Sequence, residues 1–314
     1  MGRQRQRKGD PVHGWLAVDK PVDMTSTKVV GILKRLYNAQ KAGHGGTLDP
    51  LADGILPIAF GEATKTAQWA MDCDKEYIFT IEWGSSTDSQ DKEGAVIATS
   101  DVRPSAEEVK AILPGFIGDI QQVPPKYSAI KVDGERAYDL ARDGEAFEIP
   151  SREVTVYEAD LVAAPDADHT TLRVVSGKGF YVRAMARDIA AALGAEGHVS
   201  QLRRTRVGPM DESNALKLAD LEAMAEDKDK LFAALAPLQT VLDDIPQVSV
   251  SADDTAAIKQ GREILLMPHV VEQWRTERSD DPDDRLTLAV NDETAIALGD
   301  VRAGRFKPSK VFQL

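Results

Sequence analysis

A single cysteine, Cys73, stands in a chain of 314 residues. No internal disulfide can form, which fits a reducing cytosol. The thiol lies in MDCDKEY beside acids that raise rather than lower its pKa, so a spare thiol is the expected reading and a nucleophile is not. No window approaches 18 uninterrupted apolar residues, and no membrane span is expected. The N-terminal MGRQRQRKGDPVHG lacks the apolar stretch of a secretory signal. The five histidines (13, 44, 169, 198, 269) show neither HxxxH nor HxH spacing, and one cysteine cannot build a zinc site. There is no GxxxxGK[ST] loop and no GxSxG elbow, and Leu48 occupies the place where a GxGxxG beginning at Gly43 would close. Neither a metal nor any other cofactor is expected. Chemistry must come from a carboxylate, arginines, aromatics or His44.

Acids outnumber bases, 51 to 38, which at first argues against a polyanionic partner. The average hides a segregation. Residues 24–48 contain Lys28, Lys34, Arg35 and Lys41 and no acid, and residues 169–187 hold Arg173, Lys178, Arg183 and Arg187 on the same terms. Residues 197–210 add Arg203, Arg204 and Arg206, and the first residues add Arg3, Arg5, Arg7 and Lys8. Acids crowd elsewhere, as in SDDPDD. Such windows can be solvated faces and nothing more. If they converge in space, they form a face for phosphates.

After a basic tail over 1–13, read as disordered, GWLAVDKP (14–21) predicts a buried strand ended by Pro21. Ser26 or Thr27 can cap a helix over about 28–38, whose Val29, Ile32, Leu33 and Leu36 share a face. EYIFTIEW (76–83) alternates, with Tyr77, Phe79, Ile81 and Trp83 on one side of a strand. Ser105 to Glu108 is a capping box for a short helix that Pro114 stops. QQVPPKYSAIKVDGERAYDLARDG (121–144) begins extended, turns at Asp133-Gly134 and ends helical. Strands are expected at 153–162 and 171–176, a helix at 183–193 stopped by Gly194, and more helix through 214–236. Composition shifts near 245, where PQVSVSADD opens a tail with a cap at Ser251 and β-rich pieces such as LTLAV (286–290). Without regular βαβ alternation, α+β is preferred to a doubly wound sheet.

GHGGTLDPLADGILP (43–57) sets one carboxylate, Asp49, on a glycine-rich loop ahead of a greasy run. Pro50 pushes Asp49 out of the helical region. Glycines 43, 45 and 46 permit positive φ and close approach of a ligand. A carboxylate aimed by its backbone suits a nucleophile, and Leu51, Ile55, Leu56, Ile58 and Phe60 supply an apolar floor. Asp before Pro is also common turn chemistry, and His44 could be a packed loop residue. Both readings stand on the residues alone.

This loop closely resembles the signature of the TruB family of tRNA pseudouridine synthases, and the match continues along the chain. WLAVDKPVDMTST (15–27) resembles the family's LDKP segment, with Asp23 at its usual glycine. KEYIFTIEWGSSTDSQDKEG (75–94) is similar to the strand that carries its substrate-stacking tyrosine and the turn after it. VPPKYSAIKVDGERAYDLAR (123–142), SGKGFYVRAMARDIAAALG (176–194) and LRRTRVG (202–208) resemble three further motifs, with Ser176 for the common Cys and Met210 for the common Phe. The resemblance covers residues 14–210 in order. It implies a mixed, mainly antiparallel central sheet flanked by helices over 14–245 and, more weakly, a small PUA-like β-rich RNA-binding module over 246–314.

By the same resemblance Asp49 is the catalytic nucleophile, paired with and aimed by Arg183. Tyr77 would stack on the flipped base, its hydroxyl serving in deprotonation of C5, while Tyr181 and Leu202 close the base pocket. His44 would wedge into the RNA loop that the nucleotide leaves. Lys20 would support the pocket, and Lys131 would contact phosphate; for both, simple surface exposure is the plainer alternative. Tyr77 and Leu202 could equally be core residues, and Arg183 a phosphate contact. Pseudouridine formation breaks C1′–N1 of a uridine and rejoins the base through C5 without water. One carboxylate therefore suffices where a glycoside hydrolase needs two. Attack at C6, attack at C1′ and removal of the C2′ proton all use it.

The resemblance thus implies a standalone cytoplasmic enzyme, monomeric, needing no protein partner, acting on the T-loop uridine (position 55) of the tRNA T-arm. Two rivals remain. One is a guide-RNA-dependent rRNA synthase of the same superfamily, whose loop typically reads HSGTLDPKVTG. The other is an RNA-binding or tRNA-folding module with incidental catalysis.

Overall fold

The computed structural model describes residues 9–128, 130–132, 135–136, 147–277 and 285–314. Strands β1 (Gly14–Lys20), β2 (Ala42–His44), β3 (Asp53–Phe60), β4 (Lys75–Trp83), β7 (Gly118–Gln122), β10 (Arg152–Asp166), β11 (His169–Ser176), β12 (Gly197–Val207), β13 (Met210–Asp211) and β14 (Leu216–Lys217) build one large sheet. Its order is β14-β1-β3-β12-β4-β11-β10-β7, with β2 on β3 and β13 on β12. Among the described residues of this sheet, only β1–β14 and β3–β12 run parallel. The expected mixed, mainly antiparallel sheet is what forms. Two further antiparallel pairs are β5 (Ser85–Thr87) with β6 (Val96–Thr99) and β8 (Lys131–Val132) with β9 (Glu135–Arg136). A second sheet, in the order β15-β17-β18-β19-β16, comprises β15 (Gln247–Ser249), β16 (Ile264–Leu265), β17 (Leu286–Asn291), β18 (Thr294–Arg302) and β19 (Arg305–Val311).

Helices follow local signals. Helix α1 (Ser26–Leu36) buries Val29 and Leu33, but its cap is Thr25, whose hydroxyl accepts from Lys28 N. Neither Ser26 nor Thr27, the expected caps, serves as one, and Ser26 turns to another task described below. Helix α2 (Ala67–Asp72) is short, and α3 (Ala106–Ile112) opens on the capping box of Ser105 and Glu108. A 3-10 turn over Leu113–Phe116 carries on through Pro114. In α4 (Val182–Ala192), Val182, Met185, Ala186, Ile189 and Ala190 are buried at the spacing of one helical face. Gly194 ends it at φ +63. The stretch 214–236 gives two short helices, α5 (Leu218–Ala223) and α6 (Lys228–Ala233). Helices α7 (Ala252–Lys259), capped by Ser251, and α8 (Pro268–Glu277) belong to the second sheet's segment. The Asp133-Gly134 turn and the helix after it lie outside the described residues.

One apolar core, with Leu16, Leu33, Phe60, Phe79 and Ile189, lies between the large sheet and its helices. Another joins the two sheets through Trp15, Ile55, Leu288, Leu298 and Phe312. Trp15 Nε1 donates to Leu238 O at 3.2 Å. The last strand is tied down by Lys65 Nζ on Val311 O (2.7 Å), Gln313 N on Glu62 (2.8 Å) and Lys310 over the Trp69 ring (4.4 Å). Residues 10–12 of the basic stretch also make ordered contacts. Asp10 N donates to Asn38 O at 2.6 Å and Val12 is buried, because an apolar side chain and free backbone groups find partners in the loop after α1.

The parallel junction of β3 and β12 rests on Gly54, at φ +100 opposite Arg204. A Cβ there would stand 2.2 Å from Arg204 O. Gly54→Ala therefore combines a disfavoured backbone with a backbone clash, and urea denaturation should show a loss of about 3 kcal/mol.

Candidate active site

The sheet brings the sequence-distant motifs together at the ends of β3, β4 and β12. Tyr77 and Arg204 are cross-strand partners, and so are Phe79 and Leu202. Directly opposed residues share a face, so all four side chains lie on one side. Helix α4 begins beside them. Its first turn carries Arg183, and its N-cap, Tyr181, is held extended by Gln122, which accepts from Tyr181 N (2.9 Å) and donates to Tyr181 O (3.1 Å). Gln122 carried no signal in the sequence that set it apart.

Asp49 meets this assembly on the glycine loop. Arg183 Nη2 lies 2.8 Å from Asp49 Oδ2. The guanidinium also contacts Asp91 Oδ2 (3.2 Å), Ser89 O (3.1 Å) and Tyr127 O (3.0 Å). Arg183 and Asp91 are almost fully buried, whereas Asp49 keeps about a third of its side chain exposed, at 34 %. The planar fork of arginine suits several fixed acceptors at once, and a lysine could not replace it. Asp91 is aimed in turn by Ser89 Oγ (2.6 Å) and Glu93 N (3.0 Å). Asp91 was missed as a site residue, although the TDSQDKEG turn that contains it was legible.

A cavity of about 320 Å³ opens here, its walls including Asp49, Met71, Tyr77, Tyr181, Arg183 and Leu202. The volume is that of a small-molecule pocket. Burial pushes the phenols of Tyr77 and Tyr181 above the usual tyrosine range. On its other side Asp49 borders a wider, acidic cleft of about 500 Å³ with Asp88, Asp91 and Glu93.

The loop backbone is held mostly by side chains. Ser26 Oγ donates to Leu48 O and accepts from Leu48 N, both at 2.9 Å. Lys20 is fully buried, with Nζ donating to Pro21 O (2.9 Å), Met24 O (2.8 Å) and Pro50 O (3.4 Å). Surface exposure is thereby excluded for Lys20, and burial lowers its pKa to about 8 against the pull of Asp53 and Asp49. Asp23 N also reaches Pro50 O (2.8 Å), and Asp23 takes φ +59, the conformation its family's glycine would allow. Arg204 donates to Ile55 O (2.8 Å), Thr47 O (3.2 Å) and Gly46 O (3.3 Å). Of the three loop glycines only Gly46 has positive φ; at Gly45 a Cβ would stand 2.6 Å from the Ala70 Cβ, so packing is the reason for it.

One expected site residue stands apart. His44 ends β2 opposite Ile58, half-buried, and is not among the described residues lining the cavity. Burial, and then the charge of Arg204, lower its pKa, and its Nδ1 has no partner among the described residues. Lys131 falls on β8, and its side chain lies outside the described residues.

Among the described residues the basic windows do not merge into one face. Arg183 and Arg204 turn inward. Arg173 pairs with Glu76 and Glu158, Arg203 with Asp19, Asp53 and Glu212, and Arg187 with Asp188. For Arg173 and Arg203 the acids come from other strands across the sheet or from the turn after β12, which no acid-free window reveals. Lys28, Lys34, Arg35 and Lys41, on and just after α1, remain exposed.

Residues 34–182 match the family model described as the TruB family pseudouridylate synthase N-terminal domain. Residues 183–243 match the tRNA pseudouridylate synthase B C-terminal domain. The chain is 54% identical over 310 residues to the tRNA pseudouridine synthase B of Caulobacter vibrioides, covering 99% of each. It is 47% identical over 318 residues to that of Bradyrhizobium diazoefficiens, covering 100% of this chain and 89% of the relative. The chain belongs to the TruB family. The fold of this TruB-family chain is also that of two solved ribonucleoprotein components. One is from an H/ACA RNP bound to a substrate RNA containing 2′-deoxyuridine (22% identity, TM-score 0.70, 99% of this chain and 92% of that one). The other is from a Cbf5-Nop10-Gar1 complex (23%, TM-score 0.71, 99% and 91%).

Removing Arg183 would strand the buried Asp91 carboxylate. Arg183→Ala should cost about 3–5 kcal/mol in chemical denaturation, and the double substitution Arg183→Met with Asp91→Leu should recover part of it.

Proposed function

We propose that this chain is a standalone tRNA pseudouridine synthase that isomerises the T-loop uridine, position 55 by family analogy. The observation that carries the reading is the Asp49 carboxylate, in contact with Arg183 and still partly exposed, at a cavity walled by Tyr77, Tyr181 and Leu202. A turned-out uracil meets an aromatic wall on entering, and the few kcal/mol of unstacking are offset by stacking there. Asp49 acts as the catalytic carboxylate. Arg183 fixes its direction, so that little freedom is lost when the reacting atom arrives. Tyr77 stacks on the base, and Tyr181 and Leu202 close the pocket. Lys20 supports it by holding the carbonyl of Pro50 next to Asp49. We assign His44, outside the cavity, to the RNA loop that the nucleotide leaves, and Lys131 to phosphate.

Curated relatives named tRNA pseudouridine synthase B, at 47–54% identity over nearly the whole chain, favour a tRNA substrate over a guided one. The likeness to guide-RNA assemblies, at 22–23%, concerns the fold. Residues 14–245 serve as the catalytic unit and 246–314 as a PUA-like module for RNA. The exposed cations of α1 contact phosphates. The protein works as a monomer in the cytoplasm; among the described residues no helix is long and apolar enough to cross a membrane.

Purified protein should convert a bare T-arm stem-loop with no guide present, read by mass-spectrometric mapping. Inactivity until a guide RNA or protein is added would favour the guided rival. Asp49→Asn should abolish pseudouridine formation while tRNA affinity stays within about tenfold, roughly 1.4 kcal/mol. Retained activity would remove Asp49 from the chemistry.

A further inference from the structure

Lys75 opens β4 two residues before Tyr77, on the same side of the strand. Its side chain is buried, and its ammonium donates to two main-chain carbonyls, Met71 O and Cys73 O. Those oxygens belong to the last turn of α2 and to the residue that caps it. A helix leaves its last carbonyls without partners of its own, and a cation supplies donors for them.

What α2 carries gives this tie its importance. Six residues make too short a helix to hold its end by internal bonds. Two neighbouring residues on it nevertheless border the catalytic site. Ala70 is buried against the glycine loop, where a Cβ at Gly45 would stand 2.6 Å from the Ala70 Cβ. Met71, whose carbonyl Lys75 holds, lies in the cavity wall with Tyr77 and Asp49. Its side chain is largely exposed, so close packing does not fix it. An unbranched, flexible side chain presents a constant surface only when its backbone is anchored.

Resting on the isomerase reading above, we propose that Lys75 is a positioning residue: by holding the carbonyls of Met71 and Cys73, it fixes the wall against which the turned-out uracil lies. Lys75 itself is not among the described residues lining the cavity. It acts through Met71, and a base seated against a displaced wall meets the Asp49 carboxylate out of line.

The tie carries a pH signature. Burial, and then the charge of Arg204 from β12, lower the pKa of Lys75 to about 8. Cys73, Asp72 and Asp74, at the end of α2 and in the turn after it, pull the other way. Burial pushes the Cys73 thiol up, so it stays neutral in this range. Lys75 is charged below about pH 8 and neutral above it, and a neutral amine holds carbonyls less firmly than an ammonium.

Single-turnover rates on saturating T-arm RNA test the proposal through a double-substitution cycle. Lys75→Met keeps the stem and removes the donors. Lys75→Met and Met71→Ala should each slow product formation about tenfold. Together they should be little slower than either alone, because the second change removes what the first has already released. Multiplied effects, about 100-fold in the double variant, would make Lys75 a scaffold only and overturn the proposal. Should Lys75→Met fail to fold, Met71→Ala still gives a reading with Lys75 in place. The ratio of the unaltered rate to the Met71→Ala rate should shrink about threefold or more from pH 7 to pH 9, while groups that titrate alike in both proteins cancel. A constant ratio would overturn the proposal, as would a Met71→Ala variant as fast as the unaltered protein. Absence of pseudouridine with the unaltered protein would instead remove the isomerase reading itself.

Discussion

The guanidinium of Arg183 is the contact on which the site depends. It touches the Asp49 carboxylate, the buried Asp91 carboxylate and the carbonyls of Ser89 and Tyr127. Those four acceptors come from three separate stretches of chain and meet at the first turn of one helix. No backbone ladder joins those stretches at this point, so a planar fork with fixed donor directions does the joining. Asp49 can then remain partly exposed without wandering, because its nearest partner is itself immobile.

Around that contact, residues 46–50 are tied by side chains and not by a strand partner. Arg204, Ser26 and Lys20 each take up carbonyls of the loop, and Ser26 also receives a backbone N–H. A strand would have set the loop's direction by its own pleat. Side-chain ties allow a turn closed by Ala52 N on Asp49 O, a proline after Asp49 and a positive φ at Gly46 to coexist in a few residues. The consequence is that two cations are buried beside the carboxylate, a costly arrangement that suits a place where charge must be oriented.

Local patterns carried far in the sequence. The strand at 14–20, the alternation from Tyr77 to Trp83, the capping boxes at Ser105 and Ser251 and the stop at Gly194 all come from neighbours a few residues apart, where short-range sterics and hydrogen bonds decide. The motifs that resemble the TruB family pointed to Asp49, Arg183, Tyr77, Tyr181 and Leu202, which the fold gathers around one cavity. What sequence could not reveal depends on distance. Ser26 offered a cap from its place before a helix, but Leu48, 22 residues on, claims its hydroxyl and leaves the cap to Thr25. Arg173 and Arg203 looked like free cations until cross-sheet acids were in place. Gln122 and Asp91 act only on groups far along the chain.

The short helix α2 has a consequence of its own. Met71 on it forms part of the cavity wall, while Trp69, two residues earlier, lies under the ammonium of Lys310 from the last strand. Six residues thus make a lever, with one arm in the pocket and the other beneath the second sheet. Helix α2 thus borders both the cavity wall and the last strand of the second sheet, and a change that shifts it reaches both.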